Sequence, residues 1–280
     1  MKSQEQSPQN RFFLLSWLVL PLILIWMIAS FFIGINRQPV WAQPQNQQKC
    51  ANQVIPSQIY KWQGTGLITL WFDDGWQSQY STAEPVLEEN KIKAALSIIT
   101  GSVNGDHYLS WAQIKLLQYR GWEITSHSVN HICEKEKLDY KKIDEELINS
   151  KNKLESEGLI IENYTTPCGT NVELFVQQAK NYYQSLRTSF TGLNPLPVTN
   201  PYQLNIVAIS QSTKPEDINN RIEQAKLEKK WLILVFHQVD DSQAEYSVTP
   251  ENFNKIVNQV IESKLPVVLP SQVLSMVVEK

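Results

Sequence analysis

At 280 residues, with 42% hydrophobic and 19% charged side chains, the chain has material for one sizeable globular domain plus appendages. A net charge of -3 without a dense basic run argues against nucleic acid as a partner. Three cysteines, Cys50, Cys133 and Cys168, leave at least one thiol unpaired in a monomer.

Lys2 and Arg11 precede a stretch from Phe12 to Asn36 that holds no charged residue. Its part 12–34 (FFLLSWLVLPLILIWMIASFFIG) is long enough to cross a bilayer as a helix, which leaves residues 1–11 in the cytoplasm. Two fates stay open for this helix. The length of the apolar run favours a retained membrane anchor, whereas Val40-Trp41-Ala42 resembles a small-x-small cleavage site and favours secretion after Ala42. Either way, the chain beyond residue 43 is expected outside the cytoplasm. Residues 35–62, rich in Gln, Asn and Pro, read as a polar linker, and the folded domain is expected over 63–280. No lipobox precedes Cys50.

Beyond the linker, β-rich apolar runs alternate with helical patterns. The candidate strands are 66–72, 94–100, 122–128, 160–166, 186–190, 204–210, 231–239 and 266–269. The candidate helices are 79–90, 110–119, 139–157, 171–184, 215–230 and 250–263, with Ser110, Asp217 and Thr249 near their starts. Such alternation predicts an α/β fold with a largely parallel sheet, and seven or eight units predict a closed or nearly closed (β/α) barrel.

In such a barrel, chemistry gathers where the strands end. The first run ends in Trp71-Phe72-Asp73-Asp74-Gly75-Trp76, and two adjacent carboxylates there repel unless something positive lies nearby. Of the four histidines, His127, His131 and His237 lie at later strand ends. His127 and His131 are four residues apart, so one tight turn brings both imidazoles to one side. With Asp74 they would form a donor set for a divalent cation, most plausibly zinc, although an H-x-x-x-H pair alone is weak evidence and reads more often as a surface turn.

The ordered combination is more specific than its parts. Phe72-Asp73-Asp74-Gly75, then His127-Ser128-Val129-Asn130-His131 after Gly121-Trp122-Glu123-Ile124, then Pro167-Cys168-Gly169, then Leu234-Val235-Phe236-His237 resembles the polysaccharide deacetylases, the NodB-homology carbohydrate esterases. The resemblance covers about residues 65 to 275, with context at 110–121 and 248–253. It implies a distorted (β/α) barrel and hydrolysis of acetyl groups from the N-acetylated sugars of a polysaccharide outside the cytoplasm. It implies Asp73 as general base, Asp74, His127 and His131 as metal ligands, a metal-bound water as nucleophile and His237 as general acid. A backbone N–H near Cys168, in the Pro167 to Gly169 turn, would assist at the carbonyl oxygen.

The chain departs from that pattern at the third motif. Thr165 stands where many members carry an arginine that orients the base, and Cys168 replaces an aromatic residue. Arg187, within or just before the next strand, is the candidate to supply the missing guanidinium to Asp73. Cys133 and Cys168 should both lie on the rim of the site, either joined as a disulfide or as two separate thiols. Blander roles are expected for His107, in a loop, for Trp76 and Trp111, in packing, and for the charges of 139–157, on a solvated helix face. Two other functions fit the same residues: a catalytically weak glycan-binding or scaffolding protein of an export system, and a hydrolase of this fold acting on another amide or ester.

Overall fold

The computed structural model describes residues 60–134, 137–169 and 172–278. The helix at 12–34, the linker up to residue 59 and Cys50 lie outside the described residues. Among the described residues no helix is long and apolar enough to cross a membrane.

A short strand β1 (Lys61–Trp62) pairs with the last one, β11 (Val277–Val278). Between them run β2 (Leu67–Phe72), β3 (Ala95–Ile98), β4 (Glu123–Ser126), β5 (Asn163–Thr165), β6 (Ser185–Thr191), β7 (Leu204–Ala208) and β8 (Trp231–Phe236). These seven pair in chain order, all parallel, and β8 closes on β2 from Leu67↔Trp231 to Phe72↔Phe236. Closure leaves no whole strand at an edge, and β2 and β8 are buried at every position, as their unbroken apolar sequences require.

The linking helices are α1 (Glu84–Glu89), α2 (Trp111–Tyr119), α3 (Tyr140–Ser156), α4 (Val172–Ala179), α5 (Pro215–Glu228), α6 (Pro250–Ser263) and α7 (Pro270–Leu274). Ser110 and Gln113 close a capping box at α2, Asp139 accepts from the Lys142 N–H at α3, and Thr249 accepts from the Asn252 N–H at α6. Asp217 does not cap; it sits in the first turn of α5 behind Lys214. A π-helical turn, Gln79–Ala83, precedes α1 and replaces the first half of the single helix expected over 79–90.

The expected strand 266–269 is not part of the barrel. It makes one bridge, Ile68↔Val267, because β3 meets only the end of β2 (Trp71↔Ala95, Phe72↔Leu96) and leaves the start of β2 open on that side. Pro266 and Val268 fill the gap: the Ile68 N–H donates to the Pro266 carbonyl at 3.0 Å and the Val268 N–H to the Ile68 carbonyl at 2.9 Å. A segment opening on proline lacks the donor for a longer ladder. The expected strand 231–239 also breaks, at His237, where β8 gives way to β9 (Gln238–Val239) paired with β10 (Ser247–Val248).

Two apolar clusters follow from the period-two alternation of the strands. Ile68, Leu70, Phe72, Leu96, Ile98, Leu232, Leu234 and Phe236 pack against the helices, while Leu67, Trp71, Ala95, Ile206, Trp231, Ile233 and Val235 fill the barrel. Above that filling lies a polar layer. Ser97 Oγ accepts from Trp71 Nε1 at 2.6 Å and from Thr125 Oγ1 at 3.0 Å, and lies 2.9 Å from Thr165 Oγ1. The same parity turns Asp73, His127, Arg187 and His237 toward the barrel mouth.

One close approach ties the helices to the barrel. A Cβ on Gly66 would stand 2.4 Å from the Ala225 carbonyl oxygen of α5. Gly66→Ala is therefore expected to lower unfolding free energy by about 1–3 kcal/mol, read as a fall in the urea midpoint without a change in slope.

Candidate functional site

The site begins with Asp73 and Asp74 at the end of β2. Asp73 is 4% exposed, and its N–H donates to the Phe236 carbonyl at 2.9 Å, continuing the β2–β8 ladder. Asp74 has φ 76°, and Gly75 φ 82°, so the backbone turns left-handed immediately after Asp73. Successive carboxylates thereby leave the strand in different directions. Asp74 Oδ2 accepts from Trp76 Nε1 at 2.9 Å. Asp74 Oδ1 is buried without a hydrogen-bond donor and lies 3.4 Å from His127 Nε2 and 3.6 Å from His131 Nε2.

Those distances carry chemical meaning. Two ligands on one tetrahedral ion, each with a bond of about 2.05 Å, stand about 3.3 Å apart. An orphaned carboxylate oxygen between two imidazole nitrogens at that spacing fits a divalent cation. His127 is oriented for it: its Nδ1 lies 2.9 Å from the Thr165 carbonyl, which leaves Nε2 facing Asp74. Burial would raise the Asp74 carboxyl, but His127, His237 and His131 hold it far below the usual carboxylate range. Burial, followed by the charge of His127, pushes His131 down to about 4 against the pull of Asp74 and Asp73, so it is a neutral, lone-pair-bearing ligand at pH 7.

The loop between the two histidines is held from outside. Glu146, in α3, accepts from the Val129 N–H at 2.9 Å and the Asn130 N–H at 2.8 Å through Oε2, and from Asn130 Nδ2 at 2.7 Å through Oε1. Ser128 Oγ accepts from the His131 N–H at 2.9 Å. Glu146 corrects the expectation of a wholly solvated charged face: it is buried with Ile143, Leu147, Ser150 and Leu154. Its place three residues after Ile143, on the apolar side, was the signal for this.

Arg187 meets Asp73. Its Nη2 donates to Asp73 Oδ2, both side chains are buried, and the guanidinium carbon sits 5.2 Å above the centre of the Trp71 ring. Thr165 is the register partner of Arg187 across β5 and β6, so the guanidinium rises from the neighbouring strand at the same height. Burial would raise Asp73, yet Arg187, His127 and His237 together lower it, and it is ionised at neutral pH. Its other oxygen, Oδ1, has no partner. His237 Nε2 lies 3.9 Å from Asp73 Oδ2. Gln79, unmarked by any motif, is buried in the π-turn and donates from Nε2 to the carbonyls of Asp73, at 2.5 Å, and His237, at 2.9 Å. It braces the two strand ends against each other.

The rim is defined by Cys133 and Cys168, which form a disulfide with Cα atoms 5.5 Å apart. The bond joins the histidine loop to the Pro167-Cys168-Gly169 turn, where Cys168 (φ 53°) and Gly169 (φ 70°) are left-handed. Trp76 stacks on Tyr108 with centroids 4.5 Å apart, Trp111 packs under Lys153, and His107 sits exposed in its loop and is not a member of the donor set. On the opposite side, Tyr246 lies 5.0 Å from the His237 ring and borders an open pocket of about 450 Å³ lined also by Ala208, Ser210, Gln211, Ser212 and Glu245.

Residues 62–183 match the family model described as polysaccharide deacetylase. Over that segment the chain is similar to the polysaccharide deacetylase family. A stretch of 65 residues is 34% identical to a putative polysaccharide deacetylase, YxkH, of Bacillus subtilis, and spans 23% of each chain, so the match covers under a quarter of that relative. Among solved structures, the Xyl-CE4 domain of a multidomain xylanase from the hindgut metagenome of Trinervitermes trinervoides superposes with a TM-score of 0.54 at 20% identity, over 75% of this chain and 89% of that one. The CE4 family pseudoenzyme BA3943 of Bacillus anthracis gives the same TM-score at 15% identity, over 75% of this chain and 66% of that one. At these identities the likeness concerns the fold. The family match ends before Arg187 and His237, whose positions rest on the geometry of the barrel mouth.

Glu146 anchors the loop between the two histidines with a charge, which gives it a pH signature. Burial would raise its carboxyl, but Asn130, the Val129 N–H and Lys142 hold it below the usual glutamate range. Its stabilising effect is thus complete above the unfolded value and is lost as pH falls through the lower folded one. Glu146→Gln should cost about 2 kcal/mol at about pH 7. By urea unfolding, the gap between variant and parent should narrow at about pH 4.

Proposed function

We propose that the chain is a zinc-dependent deacetylase that removes acetyl groups from N-acetylated sugars of a polysaccharide outside the cytoplasm. Residues 1–11 would be cytoplasmic, 12–34 an anchor or signal helix, 35–62 the linker and 63–280 the catalytic domain. What supports the reading most is the state of Asp73: one oxygen held by Arg187, the other unpartnered and beside the Asp74, His127 and His131 donor set. A glycan-binding scaffold has no use for such a carboxylate.

Asp74, His127 and His131 would hold the ion. When bound, it lowers the pKa of water and polarises the acetyl carbonyl. Asp73 Oδ1 takes the proton of the attacking water, and Arg187 keeps the carboxylate in one orientation through its planar fork. His237 Nε2 gives a proton to the departing nitrogen, the bond between acetyl carbon and nitrogen breaks, and acetate and a free amine leave. A backbone N–H near Cys168 would serve as donor to the developing oxyanion. The pocket beside Tyr246 would seat the neighbouring part of the glycan, with the exposed ring as its platform.

Two measurements on the same variants divide these roles. His131→Ala should lose the ion and acetate release together while its circular dichroism stays that of the parent, whereas Asp73→Asn should keep the ion and lose roughly a hundredfold or more in turnover. Full metal occupancy in His131→Ala would remove the ligand assignment.

Arg187→Lys should retain folding and metal content but lower turnover by about tenfold to a hundredfold, since a point charge does not fix a carboxylate in one plane. A parental rate would show that the guanidinium is structural only.

A further inference from the structure

The disulfide has a feature that a structural clamp does not need. Cys133 Sγ and Cys168 Sγ each lie 3.6 Å from Nδ1 of His131, the same imidazole whose Nε2 faces Asp74. A nitrogen and a thiolate on one tetrahedral ion, with bonds of about 2.05 and 2.3 Å, stand about 3.6 Å apart. Each sulfur thus stands at the distance from Nδ1 that a shared ion would set, and the group shares one residue with the first donor set. Both cysteines are exposed and on loops, so a reductant reaches the bond and side-chain rotation can open the sulfurs to the roughly 3.8 Å that two thiolates on one ion require.

We propose that the bond is the closed form of a second metal site: once reduced, Cys133, Cys168 and His131 Nδ1 bind a thiophilic d10 ion and withdraw His131 from Asp74 and His127. The reduction is thiol–disulfide exchange. A dithiol attacks one sulfur, the S–S bond breaks through a mixed disulfide, and the chain ends with two thiols while the dithiol is oxidised. Binding of the ion then displaces the two thiol protons. The exclusivity follows from the imidazole. A neutral ring has one lone pair and one N–H. Disulfide sulfurs carry no proton, so in the oxidised chain Nδ1 holds the N–H toward them and Nε2 offers its lone pair to the Asp74 set. Thiolates with an ion between them demand the lone pair at Nδ1 and place the proton on Nε2. The oxidation state of one cysteine pair thus selects which of two ions the protein holds, hard-donor or sulfur-bound.

The test uses the full chain carrying Cys50→Ser, so that no other thiol is present, and cadmium alone as the probe. Cadmium–thiolate bonds have an ultraviolet charge-transfer band; carboxylate and imidazole ligands give none. The oxidised chain should bind cadmium without the band. After reduction with a phosphine, which leaves no competing thiol, the band should appear and saturate with one tightly bound ion per chain in total. Absence of the band in the reduced chain would overturn the sulfur site, whether or not the Asp74 set binds an ion. Two ions bound tightly together would overturn the sharing of His131. Cys168→Ser should abolish the band or weaken cadmium binding there at least tenfold. His131→Ala should weaken it similarly, and an undiminished band in that variant would also count against the shared imidazole.

Discussion

Two neighbouring carboxylates at the end of a buried strand are the constraint around which the mouth of this barrel is built. Inside a protein their repulsion is several times stronger than in water, and burial opposes the charge on each. The fold meets this by separating the problem. The left-handed turn at Asp74 sends one carboxylate to two imidazoles and an indole N–H, and leaves the other to a buried guanidinium. Each acquires its own compensation. Both consequently stay ionised.

Precision at such a site comes from elements that touch no reactant. Gln79 spans the carbonyls of Asp73 and His237, Glu146 grips the backbone between the two histidines, and the Thr165 carbonyl fixes the ring of His127. Each is a buried polar group hydrogen-bonded to a neighbouring segment, and each converts a loop into a stiff support. The apolar filling below, from Leu67 and Trp231 up to Trp71, keeps that layer from sinking into the barrel.

The strands and helices were legible because a closed parallel barrel writes itself as alternating apolar runs and amphipathic segments. The convergence of the five motif side chains was legible because their strands end at one mouth of the barrel. What the sequence hid was geometry that several unrelated segments share. Pro266 to Leu269 has the composition of a strand, yet whether it joins the sheet depends on how far β3 reaches along β2. The role of Gln79 depends on a π-turn that no local pattern announces, and Glu146 looked like one charge among many until the face it lies on was known. Arg187 was reachable only from the gap that Thr165 leaves in the third motif of the resemblance, joined to the electrostatic need of Asp73.

The pairing of Thr165 with Arg187 across β5 and β6 bears on how such proteins are recognised. In a closed ring of parallel strands, positions at one height are interchangeable addresses around a common centre, and a long, flexible side chain reaches that centre from more than one of them. Linear order along the chain is then a poor index of chemical completeness. A catalogue that demands the guanidinium in its usual slot would file this chain among the damaged members. One that asks only whether some strand delivers a positive fork to the level of the first carboxylate would file it among the intact ones. The unit of comparison for this architecture is the storey of the barrel, and the chain merely visits each storey seven times.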